Sequence, residues 1–540
     1  MKKLFFNGKL YMDRGRFCEA VLVEDGRILA VGKNKDFSAA SDVLEQVDLQ
    51  RSVVLPGLND SHCHFSWTGA KRYQADLSKA RSIQELIVCC RRYLEEYPGR
   101  CKDVLRGMGW NEALFEEEAR MPTRQDLDRI TDHIPVVLRR SCGHVCTVNT
   151  RAMRQYGLSS DLYPKGILKD RDVVRLEKLL PPVSLNEKEA YFIEAQKHAL
   201  SLGLTSIQSN DIGALDDYWT YDLLAALYRT GIGKIRFRHQ ICPTCLSDVD
   251  RILEEAQRPI YRKGALRMGP IKLFKDGGIG ARTAMLRKGY TDDPGNKGSS
   301  FLSLDEQVMY YKKAQASGVQ ILTHVIGDGA IEETLDAYTQ VEGASGNPLR
   351  HGLIHCQVTD QPLLKRISAE NMAVFFQPGH RSVVLPQMVE RCGPELTATS
   401  FAWNTLKQMG CHCSYGTDAP VIDLDPFPSI QAALTDGNGY SSSSERVLMG
   451  DWVDLYTAID AYTLESAYCE GMEEEKGRIQ PGYLADFTVI DQDIFEIGLD
   501  RIAKTQAKMT VIGGNVVWNE GTSDSKRAPG RGADNKGASL

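Results

Sequence analysis

The chain has 540 residues and a formal net charge of −6, from 65 basic and 71 acidic side chains. This mild acidic excess gives no reason to expect a nucleic acid or an anionic membrane as a partner. The composition, 42% hydrophobic and 25% charged, is ordinary for a globular protein, and the length exceeds that of one small domain.

Neither a secretory signal nor a membrane helix is predicted. The start is basic, but the apolar run Leu4 to Phe6 ends at Asn7, and no uninterrupted apolar stretch approaches the roughly 18 residues of a membrane helix. The 14 cysteines are scattered without regular spacing, so we expect free thiols in a cytoplasmic protein. The CxxC pair Cys242 and Cys245 is interpreted as ordinary thiols, with a redox or zinc role as the alternative.

The two ends of the chain share a β-rich texture. Residues 1–54 and 479–520 contain apolar runs broken by Asn-Gly, Asp-Gly or Gly-Gly-Asn turns, which favour hairpins. We expect them to pair into one composite β-sandwich domain, and two unrelated terminal hairpins are the alternative. Residues 521–540 are rich in Gly, Ser and charge and are predicted to be disordered.

Residues 55–478 between these ends predict a TIM (β/α)8 barrel. Amphipathic stretches such as Leu304 to Ala316 alternate with apolar runs, which is typical of a parallel sheet. Residues 65–199 are too many for one crossover and are interpreted as an insertion over the barrel mouth. The candidate strands are Val53 to Asp60, Leu204 to Asp211, Ile235 to Ile241, Pro270 to Asp276, Val319 to His324, His351 to His355, Met372 to Gln377 and Cys411 to Asp418.

Five of these strands carry a metal-type ligand where the apolar run ends. Active sites of such barrels are built at the carboxyl ends of the strands, so we expect the five segments to form one site. The ligands are His62 with His64, Lys272, His324, His355 and Asp418.

The individual signals differ in strength. Residues two apart on a strand point the same way, so His62 and His64 can hold one ion. A histidine such as His324 or His355 can instead be a satisfied core residue. Asp418 follows an apolar run, where a carboxylate must be paired or bound to a cation, although it could also cap the next helix.

Lys272 is the unusual member, because a protonated lysine binds no cation. If burial lowers its pKa, the neutral amine can react with carbon dioxide, and the resulting carbamate has two oxygens that can bridge two ions. The alternative is a lysine paired with Asp276 or Asp418. Lys275 competes for the role, but two strand residues three apart face opposite sides, so only one points inward.

Together these motifs resemble the amidohydrolase superfamily, in the branch of the N-substituted formamide deformylase-like (YtcJ-like) proteins. The resemblance extends from the N-terminal strands to about Asn519. It depends on the segments Pro56 to His64, Lys272 to Ala284, His324 to Asp328, His355 to Gln357, Gly416 to Pro420, Gly477 to Ile479 and Gly482 to Phe487.

The resemblance implies two divalent ions, of which zinc suits the mixed nitrogen and oxygen ligands. His62 and His64 would hold the first, His324 and His355 the second, and a carboxylated Lys272 would bridge them. Asp418 would bind the first ion and handle protons, and Asp418 and His355 are the expected catalytic residues. Related branches use a cysteine bridge or a single ion instead.

Four further residues are expected to contact the substrate. His144 resembles the insertion-borne histidine of the family, and Trp110 is expected to line the opening. His380 follows the seventh strand at the catalytic end, and Arg282 belongs to the motif after Lys272. Surface or structural roles are the alternative for His144, Trp110 and His380.

The expected activity is hydrolysis of a C–N bond, in an amide, N-substituted formamide or cyclic amide, by a metal-activated water. Ester, lactone or carbamate hydrolysis on the same site is the alternative, as is a silent relative that only binds a small molecule. The expected partner is a small-molecule substrate, and a homodimer is common in similar proteins.

Overall fold

The protein is described from a computed structural model. The structure describes residues 1–521 except 39–42, 117, 119, 141–144, 170, 212–220, 263, 343–345 and 436–450. The described residues form two compact units, one of residues 1–65 and those from 196 onward, and the other of residues 66–195. No helix in these ranges is both long and apolar enough to cross a membrane.

The first unit contains an eight-stranded parallel sheet in which each strand pairs with the next along the chain. Backbone hydrogen bonds bring its two edges together, from Asp418 N to His62 O at 2.8 Å and from His64 N to Ala419 O at 2.7 Å. This nearly closed sheet confirms the predicted barrel. Its strands are β1 (Leu58–Cys63), β2 (Leu204–Ser209), β3 (Arg236–Ile241), β4 (Leu266–Phe274), β5 (Ile321–Val325), β6 (Gly352–His355), β7 (Ala373–Phe376) and β8 (Cys413–Tyr415).

The prediction was wrong at the first strand, which is two strands. Val53–Pro56 belongs to a different sheet, and Leu58–Cys63 begins the barrel. Gly57 separates them, and a β-carbon there would lie 2.2 Å from Thr205 Oγ1. The change of sheet therefore occurs at a residue that must have no side chain.

Helices follow the barrel strands and have clear start and stop signals. Ser303 caps Leu304–Ser317 by accepting a hydrogen bond from Glu306 N, and Gly318 ends it in the left-handed conformation. The other helices of this unit are Tyr221–Arg229, Asp248–Ala256, Pro259–Arg262, Asp328–Glu342, Gln361–Ala369, Pro378–Cys392, Pro394–Thr397, Trp403–Gln408, Pro426–Leu434, Leu455–Ala461 and Leu464–Cys469.

The two chain ends pair in one sheet, as expected. Phe487–Ile490 is antiparallel to Val53–Pro56 within a six-stranded sheet. A four-stranded sheet of N-terminal residues supplies Phe5, Val21 and Val23 to a hydrophobic cluster shared with the six-stranded sheet, which is a sandwich arrangement. The remaining strands of the two sheets are Lys2–Phe6, Lys9–Asp13, Arg16–Cys18, Ala20–Glu24, Arg27–Gly32, Glu45–Asp48, Ala507–Ile512 and Asn515–Asn519.

The unit of residues 66–195 has its own five-stranded mixed sheet and its own hydrophobic cores. Its strands are Ala75–Asp76, Leu105–Trp110, Val136–Arg140, Val145–Val148 and Ile167–Lys169. Its helices, two of which cross its boundaries, are Phe65–Arg72, Ile83–Glu96, Arg124–Asp128, Thr150–Gln155, Arg171–Glu177 and Leu185–Ser201.

Candidate metal centre

Five histidine and carboxylate side chains from the ends of β1, β6, β7 and β8 meet at one point. Their ligand atoms form two groups, each within 4.8 Å, and both groups include Asp418. His62 and His64 complete the first group, and His355 and His380 complete the second. All five residues are buried except His64, which is partly buried. This convergence supports a site at the carboxyl end of the barrel.

Asp418 lies at the centre of the cluster. Its Oδ1 is 3.4 Å from His62 Nε2 and 3.3 Å from His64 Nε2, and its Oδ2 is 3.9 Å from His380 Nε2. Burial alone would raise the pKa of Asp418, but the hydrogen bond from His64 and the neighbouring histidines hold it well below the usual value. The carboxylate is therefore ionised and faces imidazole nitrogens on several sides.

His355 links the first histidine pair to the remaining ones. Its ring centroid lies 5.6 Å from that of His62, 4.5 Å from that of His324 and 6.3 Å from that of His380. His324 turns its Nε2 toward Gly277 O at 3.3 Å. His324 thus lies in the cluster but outside both groups of converging ligand atoms.

Neutral imidazoles are what a metal site needs, and burial provides them. Burial lowers the pKa of His62 and His355 well below the usual value, and that of His324 to about 3. His64 is the exception, because Asp418 raises its pKa against the effect of burial. A metal cation bound to His64 in place of the proton would be stabilised by the same carboxylate, that of Asp418.

Two glutamines orient the ligand histidines. Gln240 Oε1 lies 2.6 Å from His62 Nδ1, and Gln377 Oε1 lies 2.7 Å from His355 Nδ1. Each amide nitrogen donates to a backbone carbonyl, that of Ser61 for Gln240, so the oxygen faces the ring. With Nδ1 as the donor, the lone pair on Nε2 is directed at the centre.

Lys272 on β4 is fully buried, and its Nζ has no hydrogen-bond partner among the described residues. Burial lowers its pKa to about 7, and Asp418 acts in the opposite direction. The alternative of a lysine paired with Asp276 or Asp418 is therefore wrong for Lys272. Lys275 faces elsewhere, since its Nζ donates to Leu302 O at 2.6 Å and to Glu333 at 2.5 Å.

Strained backbone positions two of the candidate ligands. His355 has a φ of 73° and Asp418 a φ of 55°. Both values lie in the left-handed region, which residues other than glycine rarely adopt. Such positions cost of order 1–3 kcal/mol each and persist only where the surroundings hold them. Their occurrence at two residues of one cluster is an independent sign of function.

The predicted substrate contacts have different outcomes. His380 lies in the cluster, whereas Arg282 is ion-paired with Asp292. Trp110 is fully buried in the hydrophobic core of residues 66–195 and donates to Leu138 O at 3.1 Å. Its ring has no exposed face for a substrate, so the expectation that it lines an opening does not fit its position. His144 lies outside the described residues.

Sequence reasoning missed Gln240, Gln377 and Asp60. Asp60 is buried and accepts hydrogen bonds from His62 N at 3.0 Å and from Thr417 Oγ1 at 2.6 Å. The sequence feature that could have identified them is a polar side chain within or just after an otherwise apolar barrel strand. A strand residue in a closed sheet has no solvent to face, so such a side chain needs a specific partner.

Comparison with known proteins shows the family to which the chain belongs. The amidohydrolase family model matches residues 45–518. The putative amidohydrolase YtcJ of Bacillus subtilis (strain 168) is 32% identical over 96% of this chain and 100% of its own length. The N-substituted formamide deformylase of Arthrobacter pascens is 23% identical over 93% of this chain and 95% of its length.

Solved structures show the same likeness. A metal-dependent hydrolase from Pyrococcus furiosus superposes with a TM-score of 0.76 and 27% sequence identity, over 91% of this chain and 99% of its own. The converging histidines, the buried lysine, the barrel and the family match point the same way. The chain belongs to the amidohydrolase family and is a metal-dependent hydrolase.

Proposed function

We propose that this hydrolase cleaves a C–N bond in a small amide, N-substituted formamide or cyclic amide. The observation that carries the proposal is the position of the Asp418 carboxylate, within 3.4 Å of two histidine Nε2 atoms and 3.9 Å of a third. A nitrogen leaving group must be protonated as it departs, and this carboxylate is placed to carry the proton. The named deformylase relative cleaves a substrate of this class.

The residues present fit the divalent ions that the family implies. His62, His64 and Asp418 would hold one ion with mixed nitrogen and oxygen ligation, which suits zinc. The buried, unpartnered Nζ of Lys272 would, as a neutral amine, add carbon dioxide and release a proton, and the resulting carbamate would offer oxygen ligands to the ions. His355 would serve the second ion.

When bound, the ions would lower the pKa of a water molecule and polarise the substrate carbonyl. Asp418 would accept the proton of the attacking water at a carboxylate oxygen and return it to the departing nitrogen. His380, whose Nε2 lies nearest Asp418 Oδ2, would hold the carboxylate or the substrate oxygen in place. Gln240 and Gln377 would keep the two imidazoles fixed during turnover.

The second ion has two candidate histidines besides His355. His324 is the ligand that the family resemblance implies, and His380 is the residue whose Nε2 lies within the converging group. Zinc analysis of His324→Ala and His380→Ala separates them. We expect His324→Ala to retain about one equivalent and His380→Ala to retain two, because the family resemblance implies His324 as the ligand and its ring centroid lies 4.5 Å from that of His355. The opposite result would assign the second ion to His380.

Substrate class is tested with purified protein loaded with zinc in bicarbonate. Matched N-substituted formamides, amides, cyclic amides and esters are compared by kcat/KM. We expect the C–N substrates to be preferred at least about tenfold over esters of similar size. A preference for esters, lactones or carbamates would replace the proposed bond class, and metal-loaded protein inactive on every substrate would indicate a silent binder.

A further inference from the structure

The opposite end of the barrel contains a second polar site that the proposed chemistry does not use. A cavity of about 20 Å³ lies between the starts of β3 and β4 and the segment after the helix Leu464–Cys469. Arg236 begins β3, and Gln240 of the metal centre lies four residues further along that strand. At about 3.3 Å per residue, the two sites are roughly 13 Å apart.

Positive charge dominates the wall of this cavity. Four basic side chains line it, those of Arg236, Arg238, Arg267 and Lys476, against one acidic side chain, that of Glu470. Several cations around a small, partly buried cavity repel one another unless an anion compensates them.

The available carboxylates are already engaged. Asp486 accepts two hydrogen bonds from Arg236, at 2.5 and 2.9 Å. Glu470 accepts hydrogen bonds from Lys476 and, at 2.9 Å, from Asn59 Nδ2. These pairs neutralise two of the four cations and leave two arginines.

Arg238 is the more deeply placed of the two. Its guanidinium donates to two neutral amide oxygens, Gln320 Oε1 at 3.1 Å and Gln208 Oε1 at 3.4 Å. Among the described residues, no carboxylate lies within 4.0 Å of it. Burial lowers the pKa of Arg238 from its usual value to about 10, which shows how poorly its charge is compensated.

Arg267 is the second arginine that no carboxylate of the described residues neutralises closely. Its nearest carboxylate, that of Glu475, is 4.0 Å away and is shared with Arg27 at 2.9 Å. The Nε atom of Arg267 is buried and has no hydrogen-bond partner among the described residues. The free N–H of Arg267 and the Arg238 guanidinium, which has no carboxylate nearby in the described part of the chain, can both donate hydrogen bonds to a bound anion.

We propose that this cavity binds one small inorganic anion of the size of chloride. Its volume suffices for about one water-sized particle, which fits a monatomic anion. Arg267 and Arg238, the two cations that no described carboxylate approaches closely, would donate to the ion. The ion would fasten β3 and β4 to the segment that carries Glu470, so its role is stability rather than catalysis.

Bromide serves as the probe for location. Crystals of the zinc-loaded protein grown with 50 mM sodium bromide and no chloride are measured at the bromine absorption edge. We expect an anomalous peak in contact with Arg238 and Arg267. A cavity that shows water and no peak, or bromide only at the metal centre or on the surface, would overturn the proposal.

Thermal stability measures the effect of anion binding in solution. Chloride replaces gluconate at constant ionic strength, and we expect the melting temperature of the zinc-loaded protein to rise by about 2 °C or more. Arg238→Met should abolish this rise while keeping its zinc content. Arg366→Met is the matched control, because Arg366 is a partly buried, ion-paired arginine at another position, and it should keep the rise.

Arg267→Met provides a second variant should Arg238→Met fail to fold, because the Arg267 side chain is 30% exposed and tolerates change better. We expect it to weaken the chloride dependence at least about fivefold in half-saturating concentration. An unchanged chloride dependence in every folded cavity variant would contradict the site.

Discussion

Asp60 on β1 accepts a hydrogen bond from the Thr417 hydroxyl, at 2.6 Å, across the seam where the barrel closes. The same carboxylate also accepts from Thr417 N and His62 N. One buried side chain thus fixes the residue before Asp418 against the first metal-type histidine. The contact explains how ligands more than 350 residues apart in sequence are held at hydrogen-bond distance.

The close approach at this seam requires Gly416. A β-carbon there would lie 2.6 Å from His62 N and 2.8 Å from Asp60 Oδ1, both of which are fixed by hydrogen bonds. We expect Gly416→Ala to weaken zinc affinity at least about tenfold and to lower the melting temperature, since backbone must shift. Gly295→Ala, with nothing within 4 Å of the new carbon, is the control and should match the parent protein. Unaltered zinc binding by Gly416→Ala would show that the seam does not position the ligands.

Asp418 is predicted to transfer the proton in catalysis. Asp418→Asn retains an oxygen ligand but cannot accept the proton, so we expect zinc to remain bound and kcat to fall at least about a hundredfold. The control is Asp423→Asn, a change at an exposed carboxylate five residues further along. Asp418→Asn with near-normal kcat would reject Asp418 as the proton carrier.

Much of the barrel could be predicted from sequence, because strand ends and metal ligands coincide there. An apolar run that stops at His355 or Asp418 marks both the strand and the residue at its carboxyl end. The observed strands β2 to β8 overlap the predicted ones throughout. Val53–Pro56 was misassigned because this apolar run stands directly before the mostly polar barrel strand Leu58–Cys63, and only the sheet partners show that the two strands belong to different sheets.

The supporting residues were harder to predict for a physical reason. A glutamine such as Gln240 has no preferred chemistry, and its role comes from a partner on another strand. Trp110 shows the opposite error, since a large aromatic residue near glycines resembled a pocket wall but packs in a core. The identity of a ligand can be read locally, whereas its orientation depends on contacts that only the folded chain brings together.

Gln240 and Gln377 are predicted to tune metal affinity without touching the metal. Gln240→Leu and Gln377→Leu remove the acceptor that keeps the proton on Nδ1 of His62 and His355. We expect zinc to bind 10–100-fold more weakly, as is usual for such outer partners. Competition with a chromogenic chelator measures the affinity, with Gln492→Leu, at a partly exposed position outside the cluster, as the control. If all three variants bound zinc with equal affinity, Gln240 and Gln377 would have no role in tuning the metal affinity.

Lys272 is predicted to carry the carbamate, and Lys275 is not. Incubation with zinc and carbon-13 bicarbonate should give one carbamate carbon signal per chain by NMR. Lys272→Met should lose this signal and about one equivalent of zinc. Lys275 donates to Glu333 and Leu302, so Lys275→Met should keep the signal in whatever fraction folds. A signal that persists in Lys272→Met would assign the modification elsewhere.

The lysine also predicts how zinc loading depends on pH. With its pKa lowered to about 7, Lys272 is protonated and unreactive below that pH and neutral above it. We therefore expect loading of metal-free protein in fixed dissolved carbon dioxide to rise about tenfold in rate between pH 6 and pH 8. His62, His324 and His355 contribute little, because burial already keeps them neutral at pH 6.

His64 differs from His62, His324 and His355, because Asp418 raises its pKa against the effect of burial. The Lys272→Met variant separates the lysine from the histidines, since its remaining pH dependence cannot come from the amine. We expect that remainder to be smaller than the dependence lost with the amine, because only the amine must react covalently. A parent protein that loads equally fast at pH 6 and pH 8 would contradict a neutral-amine step at Lys272.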